Sequence, residues 1–366
     1  MSNKKEKIAL VLSGGGSRGA YEAGVWQALT ELGIDIDIVT GASVGAINGA
    51  MVCQGDLDLT VSLWREIETH MIFDVPKDSQ PIDYAKEIII NGGAGVSGLK
   101  ELLEKYIDEE KIRRSPVEYG LVIVERSNLK PHYFFKKDIP KGRLVDYILA
   151  SSSVFPAIHP YEIDGVEYID GGYADVLPIG LALKKNPSKV IAVKLNAIGI
   201  LRYDAIRKTR HLKTIESAWN LGSTLVFDPR NSRRIMQLGY LDTMKAFKIL
   251  DGKYFTFAKR DFSKWDLMLA DACAHILGLD PTIIYSKASF IPRIAQAVED
   301  SRKEVDEAFE AFKKIKIRHV HVAEVIQDIK SLTSPRAMCL IIAEHLKERG
   351  LDSMYMSRTA LTLIPE

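Results

Sequence analysis

The chain is expected to fold as an α/β domain, a mixed and mostly parallel sheet with helices on both faces, followed by a mainly helical C-terminal region. Three observations predict this. Short, wholly apolar runs such as Ile8-Ala9-Leu10-Val11-Leu12 recur through the first part of the chain, and such runs are typical of parallel strands buried on both faces. They alternate with segments of helical spacing. Beyond about residue 200, long helical patterns replace the alternation.

The elements follow in order. Residues 7–12 form a strand, 20–32 a helix, 36–40 a strand and 44–54 a helix of small residues. Leu57 to Phe73 continues as helix. Asn91-Gly92-Gly93-Ala94-Gly95 breaks the chain, and 97–107 resumes as helix. Tyr119 to Glu125 and His132 to Phe135 are strands, and Leu144 to Ser151 is a short helix. Pro160 to Ile169 reads as two strands joined at Asp164-Gly165, a strong hairpin-turn pair. Lys189 to Leu195 is the last core strand. The domain boundary is placed at 200, giving an α/β domain over 1–200 and a helical region over 201–366. The latter has helical patterns at 205–224, 287–315 and 335–349 and would cap a site or mediate assembly. Within the second pattern Val305, Phe309 and Phe312 mark an amphipathic, core-facing helix.

Two glycine-bearing turns carry the chemistry. Gly41-Ala42-Ser43-Val44-Gly45 is a G-x-S-x-G pentapeptide between a strand and a helix. At such a turn the serine hydroxyl is pushed out of the fold, the flanking glycines avoid collisions, and the helix N-terminus favours negative charge beside the oxygen. Upstream, the first strand runs into Ser13-Gly14-Gly15-Gly16-Ser17-Arg18-Gly19 and then a helix. A loop of this kind presents backbone N–H groups to an anion. Two anions fit. One is a dinucleotide pyrophosphate, since Gly14, Gly16 and Gly19 match G-x-G-x-x-G. The other is the oxyanion of a tetrahedral acyl intermediate. The acidic residues near the distance a dinucleotide site requires, Asp35 and Asp37, stand at the start of the second strand rather than its end. Downstream, Asp170 closes the second hairpin strand and opens into Gly171-Gly172.

These motifs together resemble the patatin-like phospholipase family. The resemblance lies in the oxyanion loop Gly14, Gly15, Gly16, Ser17, Arg18 and Gly19, in the nucleophile elbow Gly41, Ala42, Ser43, Val44 and Gly45, and in Asp170-Gly171-Gly172. Ala150-Ser151-Ser152-Ser153-Val154-Phe155-Pro156-Ala157 resembles a further family segment, and Gly239-Tyr240-Leu241-Asp242 a late one. The resemblance implies a three-layer α/β/α core and a lipid acyl hydrolase of phospholipase A or lysophospholipase type. In it Ser43 is the nucleophile, Asp170 accepts its proton, the amides around Gly15 and Gly16 hold the oxyanion, and Arg18 positions the loop or adds positive charge. The implied substrate is a lipid or phospholipid ester, met in solution or at a membrane surface, with no cofactor and no metal. His159 is the one histidine near a motif, and it offers a triad as the alternative to a Ser–Asp pair.

Composition bounds the rest. The 366 residues are 46% apolar with a formal charge of +1, so no nucleic-acid partner is implied. No apolar run approaches the length of a membrane span. The three cysteines, Cys53, Cys273 and Cys339, point to a reducing compartment, and a cytoplasmic protein is expected. His319-Val320-His321 lacks further ligands at metal spacing. Arg202, Arg207, Lys208, Arg210 and Lys213 form a basic cluster suited to solvent or to lipid headgroups. The rival classes are a dinucleotide-binding oxidoreductase and a non-catalytic scaffold.

Overall fold

The fold is built around one eight-stranded sheet, seen in a computed structural model that describes residues 6–75 and 93–314 together with Ser334, Arg336, Ala337 and Cys339. Its strands are β1 (Ile8–Leu12), β2 (Ile38–Gly41), β3 (Glu118–Glu125), β4 (Lys130–Phe135), β5 (Tyr161–Ile163), β6 (Val166–Asp170), β7 (Lys189–Lys194) and β8 (Leu212–Glu216). Their order is β5-β6-β3-β2-β1-β7-β8, with β4 also on β3. The five strands β3-β2-β1-β7-β8 are parallel, and β4, β5 and β6 add the antiparallel part. The central strands carry buried residues on both sides: Ala9, Leu10, Val11 and Leu12 are each at most 1% exposed. That is why they read as unbroken apolar runs.

The helices of this part are α1 (Gly19–Glu31), α2 (Val44–Gln54), α3 (Leu57–Glu66), α4 (Ser97–Tyr106), α5 (Glu109–Arg114), α6 (Leu144–Ser151), α7 (Gly172–Asp175), α8 (Ile179–Leu183), α9 (Tyr203–Lys208) and α10 (Pro229–Ala246). One core cluster gathers Leu10, Tyr21, Val39, Met51, Trp64 and Leu121; a second joins Ala9, Val11, Ile179, Ala182 and Val190 on the other sheet face. The three-layer reading therefore holds. The hairpin turn is where it was expected, with Asp164 and Gly165 both at positive φ (52° and 80°), as a type I′ turn demands.

Three expectations are corrected. Helix 57–73 stops at Glu66, because Ile67 turns extended and Thr69 docks on Phe227 through both its amide and its hydroxyl. The pattern at 205–224 is not one helix. It is α9, then β8 hydrogen-bonded along β7, then an irregular segment that packs on the glycine loop. The compact units accordingly divide at Lys248/Ile249 rather than at 200. Asp108 also caps α5 by accepting from the Lys111 amide, a helix not expected from the sequence.

The later boundary has a packing reason. In α1 and α10 the backbones touch. A Cβ at Gly24 would lie 1.8 Å from the Met236 carbonyl oxygen, and one at Gly239 2.1 Å from that of Tyr21. Tyr21, fully buried, donates its hydroxyl to Asp242 Oδ2 at 2.8 Å. The late segment singled out by resemblance thus serves as the face on which α1 packs.

The second unit contains α11 (Lys264–Ile276), α12 (Lys287–Lys314) and a parallel pair, β9 (Thr256–Phe257) and β10 (Ile284–Tyr285). Phe255, Phe257, Phe262, Tyr285 and Phe290 form its aromatic centre. The helix expected at 287–315 is α12; the side chains of Phe309 and Phe312, the pattern at 335–349 and the pair His319 and His321 lie outside the described residues. No described helix is long and apolar enough to cross a membrane.

Replacing Gly239 by Val forces α1 and α10 apart. Overpacking against backbone costs about 2 kcal/mol or more. Thermal unfolding should therefore begin about 4 °C or more below wild type; an unchanged melting curve would refute the close crossing.

Candidate active site

The site is made where two strands run at each other. β4 pairs with β3 from Gly120 to Glu125, occupying one edge. The opposite edge is shared: β2 takes Glu118–Leu121, running parallel, and β6 takes Ile123–Glu125, running antiparallel. The C-terminal ends of β2 and β6 therefore face each other across Val122. Gly41 pairs with Leu121 and Asp170 with Ile123. Ser43 lies two residues beyond Gly41, so the register alone delivers it to Asp170.

Two serines, Ser151 and Ser153, lock this junction. The Ser43 amide donates to Ser151 Oγ at 3.1 Å, and the same hydroxyl donates to the Val122 carbonyl at 2.7 Å. The Gly171 amide donates to the Ser151 carbonyl at 3.2 Å and the Asp170 amide to that of Ser153 at 2.9 Å. Ser152 lines the adjoining cavity.

Ser43 has φ 55° and ψ −130°, a strained conformation for a residue with a side chain. It is the N-cap of α2, yet its hydroxyl makes no capping hydrogen bond, unlike most serines at that position. The flanking glycines are forced. A Cβ on Gly41 would meet the Gly45 carbonyl oxygen at 2.0 Å, and one on Gly45 the Leu12 carbonyl oxygen at 2.6 Å.

Asp170 is 4% exposed. Its Oδ1 accepts from the Gly172 amide at 2.6 Å, while Oδ2 is buried with no hydrogen-bond partner among the described residues. Loss of water raises its pKa from 3.8 to about 6, against the opposing pull of the Ser43 hydroxyl and the Gly172 amide.

The glycine loop lies against the serine: a Cβ on Gly14 would be 3.3 Å from that of Ser43. Four of the six loop residues named from the sequence have amides committed elsewhere. Gly14 donates to Val176, Ser17 to Thr224, Arg18 to Gly15, and Gly19 to Gly16 and Ser17. The amides of Gly15 and Gly16, and of Val44 at the start of α2, make no hydrogen bond among the described residues. Arg18 is a clamp: its guanidinium donates to the carbonyls of Gly222 (2.9 Å), Leu195 (3.2 Å) and Asn196 (2.7 Å). Ser17 Oγ adds a bond to the Ser223 carbonyl at 2.5 Å.

A buried carboxylate beneath the loop escaped the sequence reading. Glu22, 1% exposed, accepts from the Ser13 amide at 2.7 Å and from Asn48 Nδ2 at 2.9 Å. Asn48 also donates to the Gly19 carbonyl and accepts from Trp64 Nε1, both at 3.0 Å. The group ties the loop to the serine's helix. Burial raises the Glu22 pKa from 4.5 to about 8 despite these donors. The signal that could have found it is a charged residue set among Ala20, Tyr21, Ala23 and Gly24 on a face where every neighbour is of core type.

An apolar cavity of about 120 Å³ opens at Ser43 and Gly16. Three helix faces line it, each at spacings of three and four: Val44, Ile47 and Met51 of α2, Thr60, Leu63 and Trp64 of α3, and Leu99, Leu102, Leu103 and Tyr106 of α4. Ile158 belongs to the lining, while His159 does not; it is exposed and stands against Gly93. Asp37 is also accounted for, since its Oδ2 accepts from the Ile8 amide at 2.9 Å and bridges β1 to β2.

Residues 10–183 match the sequence model of the family described as patatin-like phospholipase. An uncharacterized NTE family protein of Mycobacterium tuberculosis is 30% identical over 193 residues, 52% of this chain and 49% of that protein. Patatin-like phospholipase domain-containing protein 7 of Rattus norvegicus is 28% identical over 198 residues, 52% of this chain and 14% of its own length. Lysophospholipase NTE1 of Candida albicans is 25% identical over 290 residues, 71% of this chain and 19% of its own. The chain thus spans about half the length, or less, of these relatives.

Burial of Asp170 has a stability consequence. Its folded pKa is raised, so its contribution is fully present below about pH 4 and is lost as pH rises through about 6. At about 1.4 kcal/mol per tenfold in proton affinity, the loss approaches about 3 kcal/mol. Asp170→Asn should therefore melt higher than wild type at pH 8 and alike at pH 4; a variant that melts lower at pH 8 contradicts the burial argument.

Proposed function

Because this chain belongs, through residues 10–183, to the patatin-like phospholipase family, we propose that it hydrolyses carboxylic esters of lipids through Ser43 and Asp170. One observation carries the reading. An uncapped serine in a strained turn stands beside a buried carboxylate with an unpartnered oxygen, at an apolar cavity. The acyl chain occupies that cavity, whose wall offers side chains of Ile, Leu, Met and Trp rather than a polar or charged surface.

In the proposed reaction Ser43 Oγ attacks the ester carbonyl and its proton passes to Asp170 Oδ2. The carbonyl oxygen becomes an oxyanion held by the uncommitted amides of Gly15, Gly16 and Val44. Asp170 returns the proton to the leaving alcohol as the C–O bond breaks, leaving an acyl-serine. A water then attacks that ester, its proton taken by Asp170, which passes it to Ser43 Oγ as the acyl–oxygen bond to the serine breaks and the fatty acid departs. A carboxylate near its ordinary pKa is a weak base at neutral pH. Burial makes Asp170 a better one, and the α2 N-terminus adds favourable potential at the oxyanion. The relative named a lysophospholipase is consistent with a lipid substrate.

Wild type should react with a fluorophosphonate probe, and Ser43→Ala should not. Asp170→Asn should label slowly, with ester turnover down about 100-fold or more. His159→Ala should turn over ester as wild type does; a loss as deep as that of Ser43→Ala would replace the dyad by a triad. The wild-type kcat/KM should rise with pH through an apparent pKa near 6, since only ionised Asp170 accepts the proton.

Narrowing the cavity tests the substrate class separately. Leu103→Trp should leave hydrolysis of a butyrate ester within about threefold and reduce that of a palmitate ester about tenfold or more, because lost apolar burial is worth about 0.8 kcal/mol per methylene. Equal losses on both esters would place the acyl chain elsewhere.

A further inference from the structure

The segment that clamps the glycine loop continues into a surface that catalysis does not use. Ile198 is 102% exposed, Ile200 55%, Tyr203 63% and Tyr173 41%. Isolated exposed apolar residues are ordinary, but a contiguous group marks an interaction site. The segments that carry these four lie side by side. The Ile200 amide donates to the Gly172 carbonyl at 2.9 Å, the Val176 amide to the Ile200 carbonyl at 2.8 Å, and Arg202 Nε to the Ala174 carbonyl at 3.1 Å. Tyr173 on one segment and Ile198 and Ile200 on the other are thus held together.

The same two segments border the site. Tyr173 follows Asp170-Gly171-Gly172, Val176 accepts from Gly14, and Asn196 accepts from Arg18. The surface is therefore fixed to the loop beside Ser43.

Its charge is one-sided. Residues 196–213 hold Arg202, Arg207, Lys208, Arg210 and Lys213 against a single acid, Asp204, in a chain whose formal charge is only +1. Arg202 is engaged with Ala174, and Lys213 Nζ with the Ala246 carbonyl at 2.9 Å. Arg207, Lys208 and Arg210 are exposed and form no ion pair among the described residues. Arg207 Nε donates to the Tyr203 carbonyl of its own helix at 3.4 Å, and among the described residues no acidic side chain pairs with any of the three charges.

We propose that Tyr173, Ile198, Ile200 and Tyr203, framed by Arg207, Lys208 and Arg210, dock the protein on an anionic phospholipid bilayer. The apolar side chains enter the boundary between headgroups and acyl chains, and the three cations meet phosphate and other acidic headgroups. The charge complementarity selects a membrane over a second copy of the chain, whose matching surface would bring like charges together. The inference rests on the lipid-ester reading of Ser43 for its purpose, since docking brings the cavity to its substrate, while its own test needs no catalysis.

The test is flotation of the full chain carrying Ser43→Ala with phosphatidylcholine vesicles, plain or enriched in phosphatidylglycerol. It should float with the enriched vesicles and be released as ionic strength rises. Adding Arg207→Glu, Lys208→Glu and Arg210→Glu should weaken binding about tenfold or more, as each basic residue at such a surface contributes about fivefold. Ile198→Ser with Ile200→Ser should weaken it about tenfold. In the Ser43 background both sets should hydrolyse a soluble short-chain ester at the wild-type rate, which shows that they fold. Binding unaltered by either set, or no binding to the enriched vesicles, overturns the proposal. So does a concentration-dependent dimer abolished by Ile198→Ser with Ile200→Ser. Patch-dependent flotation of a protein that cleaves no ester would sink the hydrolase reading and leave the docking surface standing.

Discussion

The constraint on which the rest depends is the shared edge of β3. A strand has two edges, and β4 fills one of them along six residues. β2 and β6 must then divide the other, and because they run in opposite directions their C-terminal ends converge on Val122. Two side chains from distant parts of the sequence are thereby aimed at one point by main-chain hydrogen bonds. Placement by a sheet is more exact than placement by loops, and a nucleophile and its base need such placement to act in concert. Ser151 completes the junction by bonding to the Ser43 amide and to Val122 at once.

That arrangement leaves little room around it. The turn after β2 passes close to α2 and β1, so Gly41 and Gly45 have no space for a side chain. The glycine loop is pinned from three directions: by Val176 through Gly14, by Thr224 through Ser17, and by Arg18 reaching to Leu195, Asn196 and Gly222. The amides that remain uncommitted do so because their neighbours are spent on holding the loop. Preorganisation here is a matter of which donors are used up structurally and which are not.

How much of this is legible in the sequence depends on range. The strands of the parallel sheet are legible because burial on both faces writes an apolar run, and the two glycine turns because sterics allow no other residue. The hairpin is legible from Asp164-Gly165 for the same local reason. Segment 205–224 misleads, since Ile206, Leu212, Ile215 and Leu221 suit a helix as well as they suit α9 and β8; only the pairing with β7 decides. The cavity is illegible in principle. Its lining residues recur at helical spacing on α2, α3 and α4, and that spacing is the same for a face that packs on core as for one that surrounds an empty space. Glu22 is hidden differently: its partners, Ser13 and Asn48, are brought to it by tertiary folding alone.

The energetic character of the site follows from these placements. Asp170 and Glu22 are both buried without a cationic partner among the described residues, and burial raises both pKa values, so each favours the folded state less as pH rises toward neutrality. Ser43 adds backbone strain of about 1–3 kcal/mol. The burial of Asp170 and the strain at Ser43 both cost stability, whereas Glu22 offsets its own burial by tying the glycine loop to α2. The surrounding architecture opposes them with unusually close packing, including α1 and α10 in backbone contact at Gly24 and Gly239. A rigid frame is what allows a strained serine and an under-solvated carboxylate to persist side by side. Relaxation of either would restore the hydroxyl to its helix cap or the carboxylate to water, and the proposed reactive pair would disappear while the fold survived.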